Sequence, residues 1–162
     1  AALFGGATVA WQEAGKSKPI ARAIHLPVDP RIQVVAFIPA TSLATRKART
    51  MLPESIPFAD AQRNSTNAAL LTQALTIRPD LLFRATEDFL HQSYRQEAMP
   101  SSYALMSKLR SAGVAAFISG AGPTVLALHM GDQEESDQLM RAGGAKFESK
   151  SLEIASRGAS LL

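Results

Sequence analysis

The sequence predicts an α+β fold, a mainly antiparallel sheet of split β-α-β type with helices inserted after its first β-α unit. Three observations carry that expectation. Short apolar β-type runs stand at Gln33–Pro39, Ala115–Ile118 and 124–128, with long stretches of helical periodicity between the first and second. The second and third are joined only by Ser119-Gly120-Ala121-Gly122-Pro123, too rich in glycine and proline for a helix interior. The whole order is strand-helix, several helices, strand-strand, helix, strand, and 162 residues with 46% hydrophobic content suit one ordinary packed domain.

Residues 3–11 alternate around Gly5-Gly6 as a strand or hairpin edge, the polar stretch 13–19 turns the chain, and Ile20–Leu26 is the return strand. Gln33–Pro39 reads as a short buried strand ended by proline. Thr41 or Ser42 caps a helix that carries Thr45, Arg46, Lys47 and Arg49 to a stop at Leu52-Pro53. The strongest helical signal runs over 60–76, where Ala61, Ala68, Leu71, Ala74 and Leu75 recur near a 3.6-residue period and Asp60 caps the first turn. Pro79-Asp80 opens another helix, with Leu81, Leu82, Ala85, Phe89 and Leu90 on its apolar side. Ser101 or Ser102 caps a further helix through Tyr103, Leu105, Met106 and Leu109, which Gly113 ends. A helix over 134–142 and a strand over 152–156 close the pattern.

This order is ferredoxin-like, with the helices expected on one face of the sheet. The opening hairpin has no place in it, and a lone two-stranded hairpin is marginal in water. The expectation is therefore a remnant of another domain over residues 1–30, a main domain over 31–162, and further protein before Ala1.

Composition narrows the chemistry. The chain has no cysteine, which excludes disulfides, thiolate metal sites and cysteine nucleophiles and fits a reducing compartment. His25, His91 and His129 show no metal-ligand spacing, so no metal site is expected. No apolar run approaches the ~20 residues of a membrane span, and no basic leader precedes one, so a cytoplasmic protein without a membrane partner is expected. The net charge of +3 comes from scattered positives, and 6% aromatic content offers few stacking platforms, which argues against nucleic acid. Local positive charge directed at a small anion fits better.

Three places in the sequence can meet such an anion. In the loop from Ser119 to Thr124, glycines let backbone N–H groups approach a ligand and Pro123 pre-orders the turn, although a simple hairpin turn explains the same residues. Thr45 and Arg49, four apart, share one face of their helix and set a hydroxyl beside a guanidinium. Arg95, in a mixed polar stretch before Met99-Pro100, offers a second guanidinium fork suited to carboxylate or phosphate.

Taken together, these segments resemble the GHMP small-molecule kinases. Ser119-Gly-Ala-Gly-Pro-Thr124 is similar to their third, glycine-rich motif. The run 44–49 with Leu52-Pro53, then 60–64 leading into 68–71, then Tyr94-Arg95 with Met99-Pro100, resembles the homoserine kinases of that family in order and spacing. Gly5-Gly6 followed by Ala-Thr-Val is similar to the segment after the family's central helix. The resemblance implies phosphoryl transfer from ATP, with Mg2+, to the hydroxyl of L-homoserine, and leaves a homodimer open. It implies that Arg49 and Arg95 clamp the substrate carboxylate, with Thr45 beside them. Ser119, Gly120, Ala121, Gly122, Pro123 and Thr124 would line the junction of substrate and nucleotide. Asn64 matches a recurring position without an implied role, and Ala121 replaces the more common serine, losing a hydroxyl. The family's phosphate-binding loop, Pro-x-x-x-Gly-Leu-Gly-Ser-Ser-Ala, is not in these 162 residues. The chain then corresponds to the family's C-terminal portion, inactive alone. Two alternatives stand beside this one: a non-catalytic ferredoxin-like ligand-binding module, and a kinase of the same family for another carboxylate-bearing acceptor.

Overall fold

The computed structural model describes residues 5–15, 18–155 and 158–159. Strands β1 (Ala7–Glu13) and β2 (Ile20–Leu26) pair antiparallel as a separate hairpin, with Ala7 opposite Leu26 and Glu13 opposite Ile20. Residues 3 and 4 of the expected first strand lie outside the described residues; Gly5 and Gly6 are not strand but hold positive φ angles of 71° and 53°.

The main sheet has the order β4-β5-β3-β6, all antiparallel, with β3 at Gln33–Pro39, β4 at Ala115–Ile118, β5 at Val125–His129 and β6 at Phe147–Leu152. That is the split β-α-β order expected. Helices α4 (Pro100–Ser111) and α5 (Gln133–Arg141) pack on one face: Val35, Phe37, Ala116, Ile118, Val125 and Ala127 meet Met99, Leu105, Met106 and Leu109 there. The opposite face is covered too, which corrects the one-faced expectation. Val34, Ala115 and Leu128 pack with Ala74 of α2 (Phe58–Thr76) and with Leu82 and Ala85 of α3 (Leu82–Ala85). The reason is legible in β3, where Val34-Val35-Ala36-Phe37 is apolar at both parities, as a strand buried on both sides must be.

Several boundaries differ from expectation. Helix α1 spans only Thr45–Thr50, starting after Ala44, and neither Thr41 nor Ser42 caps it. Helix α2 starts after Pro57, so Asp60 lies inside its first turn, 3.8 Å from Arg63. The helix opened by Pro79, first as a short 3-10 turn over Pro79–Leu81, stops at Ala85, so Phe89 and Leu90 are not helical. There the Thr86 hydroxyl donates back to Leu82 O at 2.8 Å, and Asp88 draws the next amides into a turn of its own. Helix α4 begins at Pro100, which tolerates the first helical position because its missing N–H has no helical acceptor there, and Ser102 is buried within the helix. The last strand among the described residues is β6, which begins five residues before the expected 152–156 and shares only Leu152 with it; residue 156 lies outside the described residues. Its sequence FESKSL is largely exposed at the sheet edge and carries little apolar signal.

Candidate functional site

A cavity of ≈ 570 Å3 opens between α2, the turns that follow α3, and the β4–β5 end of the sheet. One face of α2 lines it with Asn64, Asn67, Ala68, Leu71 and Leu75, the spacing that puts residues on a single helical stripe. The wall is polar along the first half of the helix and apolar further on, where Phe117 and Leu128 complete it.

The expected anion-binding residues divide at this cavity. Thr45 and Arg49, four apart on α1, both line it and are exposed. Arg95 lines it as well and is only 6% exposed. Its Nε donates to Ala48 O at 3.0 Å and its Nη1 to Gly120 O at 3.3 Å, so one guanidinium ties α1 to the glycine loop. Both acceptors are neutral carbonyls. Among the described residues no carboxylate pairs with Arg95. A buried charge without a counter-charge costs several kcal/mol (~3–5).

The loop from Ser119 to Thr124 connects β4 to β5 as a tight hairpin: Ser119 N donates to Thr124 O and Gly122 N to Ser119 O, each at 2.9 Å. Gly120 and Ala121 line the cavity, whereas Ser119, Gly122, Pro123 and Thr124 do not. Hairpin turn and cavity wall are therefore the same object. Gly122 has a packing role: at φ 85°, an added Cβ would lie 2.6 Å from Met99 Sδ and 3.0 Å from Ile118 Cγ2.

Polar residues at the cavity that were not singled out from the sequence include Asn67, Thr86, Glu87, Asp88 and Gln92, and His91, noted there only for lacking metal-ligand spacing, lines it too. Asn64 Oδ1 accepts from Phe89 N and Asn67 Nδ2 donates to Glu87 O, each at 3.1 Å, so two asparagines of α2 pin the segment 87–89. Asp88 then accepts from the amides of His91 at 2.8 Å and Gln92 at 2.7 Å and from His91 Nδ1 at 2.8 Å. Burial opposes charge on Asp88, but the Gln92 and His91 bonds outweigh it and hold the carboxyl below its ordinary range. The signal for this turn was an Asp followed by amides with no helix to join, an Asx-type pattern.

The sequence pattern that defines the family "GHMP kinases C terminal" matches residues 67–149, just over half of the chain. The chain belongs to the GHMP kinase family. Its curated relatives in that family include a protein named homoserine kinase from Streptomyces avermitilis, 48% identical over all 162 residues, which cover 51% of the relative. Another, from Mycolicibacterium vanbaalenii, is 42% identical over 154 residues, 95% of this chain and 49% of the relative. The chain thus spans about half the length of the curated relatives it matches. Among solved structures, a homoserine kinase from Cytophaga hutchinsonii superposes with a TM-score of 0.75 at 22% identity, covering 85% of this chain and 46% of that one. A putative homoserine kinase from Listeria monocytogenes gives 0.64, also at 22% identity, over 97% of this chain and 52% of its own. These two show that the GHMP kinase fold is shared.

Proposed function

We propose that this chain is the C-terminal portion of a homoserine kinase, which transfers the γ-phosphoryl group of ATP to the side-chain hydroxyl of L-homoserine in the cytoplasm, on the way to threonine. The observation that carries the reading is Arg95, buried at the cavity wall without a carboxylate partner among the described residues. In this reading the acceptor's carboxylate supplies the missing charge, with Arg49 as the second cation and Thr45 as a hydroxyl donor beside it. Phosphoryl transfer needs positioning and charge stabilisation more than covalent help from protein, so a clamp at one end of a small acceptor governs where its hydroxyl stands.

The nucleotide belongs mainly elsewhere in this proposal. Gly120 and Ala121, which line the cavity, are assigned a backbone contact to a phosphate oxygen. Mg2+ and the triphosphate are assigned in this proposal chiefly to the part of the relatives' length that this chain does not cover, because the family's phosphate-binding loop is not in these 162 residues. The hairpin of residues 1–30 is assigned to that half as well. Its Val9, Trp11, Ile20 and Ile24 share one face and are substantially exposed, as a sheet surface awaiting a covering layer is.

A coupled assay of ADP release tests the proposal. The full-length protein should turn over ATP only when L-homoserine is present, and the 162-residue chain alone should not. Turnover by the isolated chain, or indifference of the full-length protein to homoserine, contradicts it.

A further inference from the structure

Strand β4 is an edge strand, so the backbone groups on its outer side have no neighbouring strand to meet. Two side chains meet them instead. Arg110 Nη1 donates to Ala116 O at 3.0 Å, and Gln92 Oε1 accepts from Ile118 N at 2.6 Å. Covering an edge is a structural task, and Arg110 does little more than that at β4. Gln92 stands in a different position in the chain. Its own N–H is held by Asp88 at 2.7 Å, and its carbonyl accepts from Arg95 N at 3.3 Å. One buried residue thus joins the Asp88 turn, the last residue of β4 before the glycine loop, and the backbone of the arginine at the cavity wall. Arg95 reaches the same loop with its side chain at Gly120 O. The two bonds, Gln92 to Ile118 and Arg95 to Gly120, flank the start of the loop and fix its distance from the guanidinium.

We propose that Gln92 is a positioning residue for phosphoryl transfer: by anchoring the turn 88–95 on the Ile118 N–H, it sets the separation between the Arg95 guanidinium and the glycine loop. That separation decides where the hydroxyl of an acceptor held by its carboxylate stands. The role rests on the assignment of Arg95 as the carboxylate clamp. A displacement of about 1 Å at such a clamp is enough to lower rate on the order of a hundred-fold.

The test uses the full-length protein with Gln92→Leu, Gln92→Glu and Gln92→Asn. Leucine removes the acceptor at similar volume, glutamate keeps an oxygen at the same reach, and asparagine withdraws it by one methylene. Gln92→Leu should lower kcat/KM for L-homoserine by about ten-fold, leave the KM for ATP within about two-fold, and speed hydrogen exchange at the Ile118 amide. Gln92→Glu should restore most of both, and Gln92→Asn should fall between. Should the leucine variant fail to fold, the glutamate and asparagine variants give the same contrast. Wild-type kinetics in Gln92→Leu, or a loss that glutamate does not restore, overturns the positioning role while leaving the clamp intact. A wild-type enzyme without homoserine-dependent turnover removes the clamp assignment and this role together.

Discussion

Gly120 and Gly122 sit two apart in one loop, both at positive φ, yet they answer to different constraints. At Gly120 (φ 57°) an added Cβ meets nothing within 4 Å, so only backbone strain opposes a side chain. At Gly122 (φ 85°) the Cβ would also collide with Met99 Sδ and Ile118 Cγ2. Gly120→Ala should therefore cost about 1–2 kcal/mol of stability, the usual penalty of left-handed backbone for a side chain. Gly122→Ala should cost that plus about 1–3 kcal/mol of overpacking. Urea denaturation measures both, and equal losses would contradict the distinction. Residue types were what the sequence conveyed best here. Arg49, Arg95 and Thr45 stood out by chemistry and spacing, and all three line one cavity. The burial of Arg95 was not legible, because it is created by Ala48 and Gly120, 47 and 25 residues away.

Helix α5 shows what local pattern conveys and what it misses. Its boundaries were nearly readable, since Asp132 accepts from Glu135 N at 3.1 Å as an N-cap does. Hidden from the sequence was that His129, at the end of β5, is buried against this first turn, with Nε2 3.0 Å from Ser136 Oγ and Nδ1 accepting from Gly131 N at 3.2 Å. Burial lowers the His129 pKa below its ordinary 6.5, although Glu135 and Asp132 pull the other way. The unfolded chain then takes up the proton first as pH falls. The contribution to stability is complete above about 6.5 and declines as pH drops from there toward the depressed folded value. The urea midpoint of the wild type should fall between pH 7 and pH 5 more steeply than that of His129→Gln, and parallel curves would show that the ring is not held neutral. The weak elements failed for the opposite reason. Strand β6 and helix α1 are short and largely exposed, so little apolar periodicity marks their ends.

Across the molecule, sheet order was recoverable from element order alone, because short connections and antiparallel pairing leave few topologies. The second helical layer was not, although β3 carries its trace in an unbroken apolar run. That layer forms the candidate site, since the cavity lies where α2 and the turn after α3 meet the sheet, with α1 and the glycine loop closing it through Arg95. A one-faced sheet would have no such cavity. In the proposed reading, the hairpin, whose separate sheet exposes Val9, Trp11, Ile20 and Ile24 on one face, belongs with the part of the relatives that this chain does not cover. The most direct measurement is kcat/KM for L-homoserine in the full-length protein, wild type against Arg95→Ala. Loss of a buried, charge-assisted carboxylate contact should lower it by about a hundred-fold while the KM for ATP stays within about two-fold. An unchanged dependence on homoserine, or an equal loss toward ATP, would contradict the clamp.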